Sequence, residues 1–184
     1  MLGALVILLL ALAVWVPLGS SSMPDPVAEG TTEVSFADAQ IINELLHGNI
    51  RRHWIGFLAL ERGTCRGVIV LGLMFVDHSE RVNKELAALA NRLKVDLAPE
   101  EVMPRVLEQM EALRRVPRGR EFDRALLLAS LVLVEPPPPA SAATHGDVRE
   151  FLVKMNRLLE ADYVRVMKVG RDLGFTMEEL RRPR

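Results

Sequence analysis

The sequence predicts an all-α protein, an antiparallel four-helix bundle preceded by an N-terminal signal segment. Apolar residues recur at helical spacing in four long segments, and no strand-like alternation extends beyond a few residues. Residues 2–18 form an apolar run without charge. Apolar residues make up 49% of the 184-residue chain and charged residues 26%, a balance that suits one globular domain. Aromatic residues, at 5%, are too few to favour sheets.

Residues 1–22 have the pattern of a signal peptide, in which the apolar stretch Leu2–Leu18 is followed by the small residues Gly19–Ser22. An uncleaved membrane anchor is the alternative, although the run contains Pro17 and is slightly shorter than the about 20 residues that span a bilayer. In either case we expect the folded part outside the cytoplasm, in the periplasm or outer envelope of a bacterium. Residues 23–34 are predicted to be a linker.

The bundle domain is predicted over residues 35–174 and begins with two long helices. The first runs from Phe36 to Arg62 and has Ser35 as its N-cap, and the second runs from Arg66 to Lys94. Because the connection between them is short, we expect these two helices to be antiparallel neighbours.

Proline-containing segments separate the later helices. The pattern predicts a shorter helix from Pro104 to Arg115, a third main helix from Arg120 to Glu135 and a fourth from Asp147 to Leu173. The run Pro136–Pro139 ends the third main helix, because proline lacks the N–H that a helix requires. Residues 175–184 are predicted to be a C-terminal tail.

Three polar residues occupy positions in the apolar stripes of these helices: Arg52, His78 and Asp162. Counted from the first interhelical turn, Arg52 and His78 lie within one helical turn of each other in height, and Asp162 lies at a comparable depth. We interpret them as a buried polar cluster in which Arg52 pairs with Asp162 and His78 forms a hydrogen bond nearby. Replacing Arg52 by Ala is then predicted to cost roughly 3–5 kcal/mol. A metal site and a position at the edge of the stripe are the alternatives.

Several functional classes lack support in the sequence. We find no dinucleotide-binding, P-loop, nucleophile-elbow or zinc-protease motif, so we expect no enzyme activity and no cofactor. The formal net charge of −1 does not favour a nucleic-acid partner, and the single residue Cys65 excludes a disulfide within the chain. Self-association and an envelope protein partner both remain open. Membrane contact is expected only through residues 2–18, if they are retained.

Four stretches match a known sequence pattern. The clearest starts at Met74, with the sequence MFVDHSERVNKELAALANRLKVDL, and carries Met-x-x-Asp-His followed by Asn-x-x-Leu. Asn49–Ala59 contains a Gly-x-x-Ala element, Glu121–Ala125 reads Glu-Phe-Asp-Arg-Ala, and the last helix provides the fourth stretch. Over residues 36–173 the chain resembles domain-of-unknown-function family 4142, exported bacterial proteins that are ferritin-like and often described as outer membrane proteins.

The resemblance implies a ligand site made of a Glu in the first helix and a His in each of the other three. This chain retains only His78, with Asp77 beside it. Arg52 stands at the Glu position, Val134 lies near the third-helix His position and Asp162 stands at the fourth-helix His position. The resemblance therefore implies a degenerate site, replaced by a core ion pair. The alternative is a ferritin-like protein that binds a transition metal through Asp77, His78 and Asp162.

Overall fold

The computed structural model describes residues 34–134, 136–176 and 178–179. Over these ranges the chain is all-α, which confirms that part of the fold prediction. The helices are α1 (Phe36–Arg62), α2 (Arg66–Leu93), α3 (Met103–Arg115), α4 (Arg120–Leu133) and α5 (Gly146–Asp172). Short 3-10 turns at Pro99–Glu101 and Ala140–Ala142 precede α3 and α5. The predicted signal peptide or anchor, residues 1–22, and nearly all of the predicted linker lie outside the described residues.

Local backbone chemistry explains where the helices begin and end. The hydroxyl of Ser35 accepts a hydrogen bond from the backbone of the first turn, which confirms its prediction as the N-cap of α1. Helix α2 ends one residue earlier than predicted because Lys94 adopts a left-handed conformation, with φ of 55°. Helix α5 ends at Asp172, one residue before the predicted end, and Gly174 shortly after it lies in the left-handed region, at φ of 74°.

Helices α1 and α2 pack closely in antiparallel directions. A Cβ atom built on Gly72 would lie 2.7 Å from the Cβ of Ala59 and 2.8 Å from the carbonyl oxygen of Gly56. Such distances are shorter than packed side chains tolerate, so both glycines are needed for this approach. Farther along the pair, Asn49 of α1 bonds to the backbone of Ser79 on α2.

The remaining helices pack on this antiparallel pair. Helix α5 runs antiparallel to α2, because Lys154 near its start pairs with Glu85 late in α2 while Asp162 contacts His78 in the middle of α2. Helix α4 packs against α1 and α5, and the shorter helix α3 packs against α1 and α4. The described residues thus form five α-helices, which correspond to the four main helices and the shorter one that the sequence predicts.

Buried apolar side chains from all five helices form one continuous core. Phe75, Phe122 and Leu152 are among its fully buried members. The predicted C-terminal tail contributes as well, since Phe175 is 6% exposed and belongs to the same core. None of the helices described here is long and apolar enough to cross a membrane.

Candidate functional site

Arg52, in the middle of α1, is a buried cation whose donors are incompletely satisfied. Its side chain is 2% exposed. Nη1 donates to Oδ1 of Asn49 and Nη2 donates to the carbonyl oxygen of Leu133, each over a long distance of 3.4 Å. Nε has no hydrogen-bond partner, although a guanidinium carries five N–H donors. Burial lowers the pKa of Arg52, and the negative charge of Asp162 acts in the opposite direction.

Asp162, on α5, is fully buried and has two partners of its own. Its carboxylate lies 3.2 Å from Nδ1 of His78, and Nη1 of Arg165 donates to it over 3.3 Å. Arg165 extends inward from the surface one helical turn away, with its side chain 52% exposed. The structure brings Arg52, His78 and Asp162 into one region, as the sequence predicted. It differs in the pairing, because the side chains that contact the Asp162 carboxylate are those of His78 and Arg165 rather than that of Arg52.

Two asparagines and a serine extend this cluster between α1 and α2. The amide nitrogen of Asn49 donates to the backbone oxygen of Ser79 at 2.9 Å and to Oδ1 of Asn83 at 2.7 Å. The hydroxyl of Ser79 is buried without a hydrogen-bond partner. Sequence reasoning missed these residues, although Asn83 belongs to the motif that begins at Met74. Asn49 also lies one turn before Arg52, on the same helix face.

The metal site implied by the family resemblance does not fit the residues present. Asp77 is 67% exposed and pairs with Arg81 at 2.8 Å on the surface of α2, so it does not join His78 and Asp162. In the described part of the chain, no three His, Cys, Asp or Glu side chains are grouped so that they could hold a metal ion. The carboxylate of Asp162 already has two donors, and the Arg52 cation acts on it as well. A transition metal requires several convergent ligands without a competing cation.

A second kind of polar site, which sequence reasoning also missed, lies at the start of α1. The buried carboxylate of Asp38 accepts hydrogen bonds from the backbone N–H groups of Thr144 and His145, at 2.9 and 3.2 Å, and from the Thr144 hydroxyl. The Ser35 hydroxyl adds a bond of 2.7 Å. Burial raises the pKa of Asp38, but the bonds from Thr144, Ser35 and His145 outweigh it and leave the pKa below its usual value. The available signal was the Ser-x-x-Asp capping pattern.

Asp123, in the first turn of α4, forms the same arrangement at the other end of α1. Its carboxylate accepts from the backbone N–H of Thr64 at 3.0 Å, from the Thr64 hydroxyl at 2.6 Å and from the backbone N–H of Cys65 at 3.2 Å. Cys65 is the N-cap of α2, and its Sγ accepts from the backbone N–H of Val68. Each buried aspartate therefore binds the two residues that lead into another helix, where a negative charge is favoured. We call these two arrangements the aspartate clamps.

A family model described as Domain of unknown function (DUF4142) matches residues 23–132. The chain belongs to this family. The sequence motifs had indicated the same family, and that prediction is confirmed. The DUF4142 match includes Arg52, His78 and Asp123, whereas Asp162 on α5 lies beyond it. No curated protein and no solved structure matches the chain.

Proposed function

We propose that this DUF4142 protein is an exported, non-catalytic helical-bundle protein of the bacterial envelope, in which a degenerate ligand site has become a structural polar cluster. The pairing of Asp162 is the observation that carries this proposal. Its carboxylate is contacted by His78 and Arg165 and lies near the charge of Arg52, so its acceptor sites are used within the protein. A catalytic acid, base or metal ligand requires a group directed towards a substrate or ion.

We also propose that the longer helices form a ferritin-like four-helix bundle. Helices α1, α2, α4 and α5 form the bundle in this view, and α3 is an addition on the side of α1 and α4. The positions that correspond to the family ligands support this arrangement, since Arg52, His78 and Asp162 lie in one region and Arg52 bonds to Leu133, next to Val134.

An elemental analysis tests whether the ligand site of the family has been lost in this chain. The full chain, purified after growth in medium supplemented with iron, copper and zinc, should contain no stoichiometric metal. His78→Ala and the surface variant Asp77→Asn should give the same result. Stoichiometric metal in the wild type that is lost in His78→Ala and retained in Asp77→Asn would overturn the proposal. It would favour a ferritin-like metal-binding protein instead.

Export is supported by the apolar run Leu2–Leu18 and by the small residues Gly19–Ser22 that follow it. The full-length chain should be expressed in a bacterial host, recovered from each cell fraction and sequenced from its N-terminus. A periplasmic protein that starts at Ser22 or Met23 is the expected result. An intact N-terminus in the membrane fraction would instead favour an uncleaved anchor, and an intact cytoplasmic protein would contradict export.

A further inference from the structure

A cavity of about 160 Å³ lies beside Arg52. It is bordered by α1, the end of α4, the proline-rich segment after α4, and α5. Arg52 and Asn49 are on its polar side. The buried apolar side chains of Leu45, Met155 and Leu159 also line the cavity. The cavity thus combines one buried cation with an aliphatic wall, a pairing that is typical of small-molecule sites.

The cavity is accessible from the surface. Its lining includes Glu44, which is exposed, and Val132, which is 60% exposed. Partly buried Pro137 and Pro138 form another section of the wall. A stiff proline segment of this kind keeps a wall in place without a helix behind it.

The unmet hydrogen-bonding capacity of Arg52 identifies the chemistry that the cavity would take. Nη1 and Nη2 each donate one bond of 3.4 Å although each carries two N–H groups, and Nε, which is buried in the protein, has no partner. A buried donor left in this state costs free energy, and a carboxylate is the acceptor whose geometry a guanidinium fits best. Asp162 does not supply that acceptor, because its carboxylate is bound by His78 and Arg165.

We infer that this cavity binds a small aliphatic monocarboxylate, with its carboxylate on Arg52 and its chain against Leu45, Met155 and Leu159. A cavity of about 150 Å³ accommodates a molecule the size of benzene, so an acid of about four to six carbons fits. A dianion is disfavoured, because the carboxylate of Glu44 also lines the cavity and offsets the second lining cation, Arg51. This inference goes beyond the proposed function and holds whether or not the protein is exported.

Gly48 offers a direct way to close the cavity. It lines the cavity, and a Cβ atom built on it would meet nothing within 4 Å. Gly48→Leu should therefore fill the cavity without a clash at its Cβ. Gly48→Ala is the matched control, since it gives a similar gain in helix propensity but adds only one methyl group.

The test measures valerate binding to the full-length protein by calorimetry and by thermal melting, against sodium chloride at equal ionic strength. At about ten times Kd, valerate should raise the Tm of the wild type and of Gly48→Ala by about 3–5 °C. Gly48→Leu should lose this shift. Arg52→Met should weaken binding by about 10- to 100-fold, the loss expected for a charge-assisted hydrogen bond.

Three outcomes would overturn the inference. The first is a wild-type protein that responds to valerate no more than to chloride. The second is an equal response to 1-pentanol, which would show that the chain alone binds and that the guanidinium plays no part. The third is an unchanged response in Gly48→Leu, which would place the acid elsewhere. Because Gly48→Leu keeps Arg52, the experiment remains decisive even if Arg52→Met fails to fold.

Discussion

The aspartate clamps at the two ends of α1 and the Arg52 cluster in its middle are both buried and polar, but they differ in how completely they are satisfied. The carboxylates of Asp38 and Asp123 each receive two backbone N–H groups and a threonine hydroxyl. Arg52 has two long bonds and an unpartnered Nε. The clamps join helix ends to each other, whereas the middle of α1 borders a cavity.

The difference indicates which buried charges serve the fold and which are available for a ligand. Removing a buried charge that has all its hydrogen bonds is strongly destabilising, because its buried partners are left without bonds. A buried charge with open bonds contributes less to folding and gains more from an added partner. On this basis the clamps are structural and Arg52 is the candidate for recognition.

The largest expected effect is at a clamp. Asp123→Ala should lower the free energy of unfolding by about 2–4 kcal/mol, because two backbone N–H groups and the Thr64 hydroxyl lose their acceptor. Urea unfolding followed by circular dichroism measures this loss. The matched control is Asp147→Ala, another acid in a first turn, which pairs with Arg92 at the surface and should cost less than about 1 kcal/mol. Equal losses in both variants would remove the distinction.

The second prediction concerns pH and Asp38. Its pKa in the folded protein is below the usual value, so its stabilising contribution is complete above the unfolded-state pKa of about 4. The contribution is lost as the pH falls through the lower, folded-state value. Wild-type stability should therefore decline below about pH 4, and Asp38→Asn should be less stable at pH 7 but show a smaller acid-dependent loss. Parallel pH profiles for the two proteins would contradict this account.

The third prediction tests the cluster in the middle of α1. Arg52→Met should change the free energy of unfolding by no more than about 1 kcal/mol, or increase it, because the removed charge was poorly satisfied and Asp162 keeps His78 and Arg165. This expectation replaces the larger loss that follows from a direct Arg52–Asp162 pair. A loss of about 3–5 kcal/mol in urea unfolding would show that Arg52 is the main charge partner of Asp162 after all.

The smallest expected effect is at Gly48. Gly48→Ala should stabilise the protein by about 0.5–1 kcal/mol, because the added methyl group meets open space and alanine favours a helix. Gly72→Ala is the matched control and should be destabilising, since its methyl group would lie 2.7 Å from the Cβ of Ala59. Thermal melts of both variants compare them directly. A destabilised Gly48→Ala would indicate that the middle of α1 has no free space.

Periodicity was sufficient to predict the five helices but not to predict how they pack. The boundaries of α1 were predicted to the residue, since Ser35 and the Gly63-Thr64 turn are local signals. Helix α3 was predicted as a shorter helix, and the structure adds that it packs on both α1 and α4. The amphipathic pattern of α3 does not predict which helices it packs against. The sequence also did not predict that Phe175 is part of the core, because it lies in the predicted C-terminal tail.

For the candidate site, the sequence identified the unusual residues but not their partners. Arg52, His78 and Asp162 were recognisable because each interrupts an apolar stripe at a similar height. Which charges pair depends on the length and direction of the side chains. Arg165, one turn from Asp162 on the same helix, contacts its carboxylate, whereas Arg52 on α1 forms no ion pair with it. The sequence did not single out Asp38 and Asp123, because an acidic residue is common in the first turn of a helix whether or not it is buried.

The sequence alone determined the all-α class, the main helices and the DUF4142 membership, because helical periodicity, capping residues and short motifs are local properties. Only the tertiary structure decided the partners of Asp162, the two aspartate clamps and the cavity beside Arg52. The clamps join residues that are 58 to 107 positions apart in the chain, and His78 and Asp162 are 84 positions apart. The cavity depends on space that no local pattern encodes. Hydrogen bonds and cavities form where helices meet, and the exact rotation and reach of each side chain at that meeting are set by the packing of the whole core.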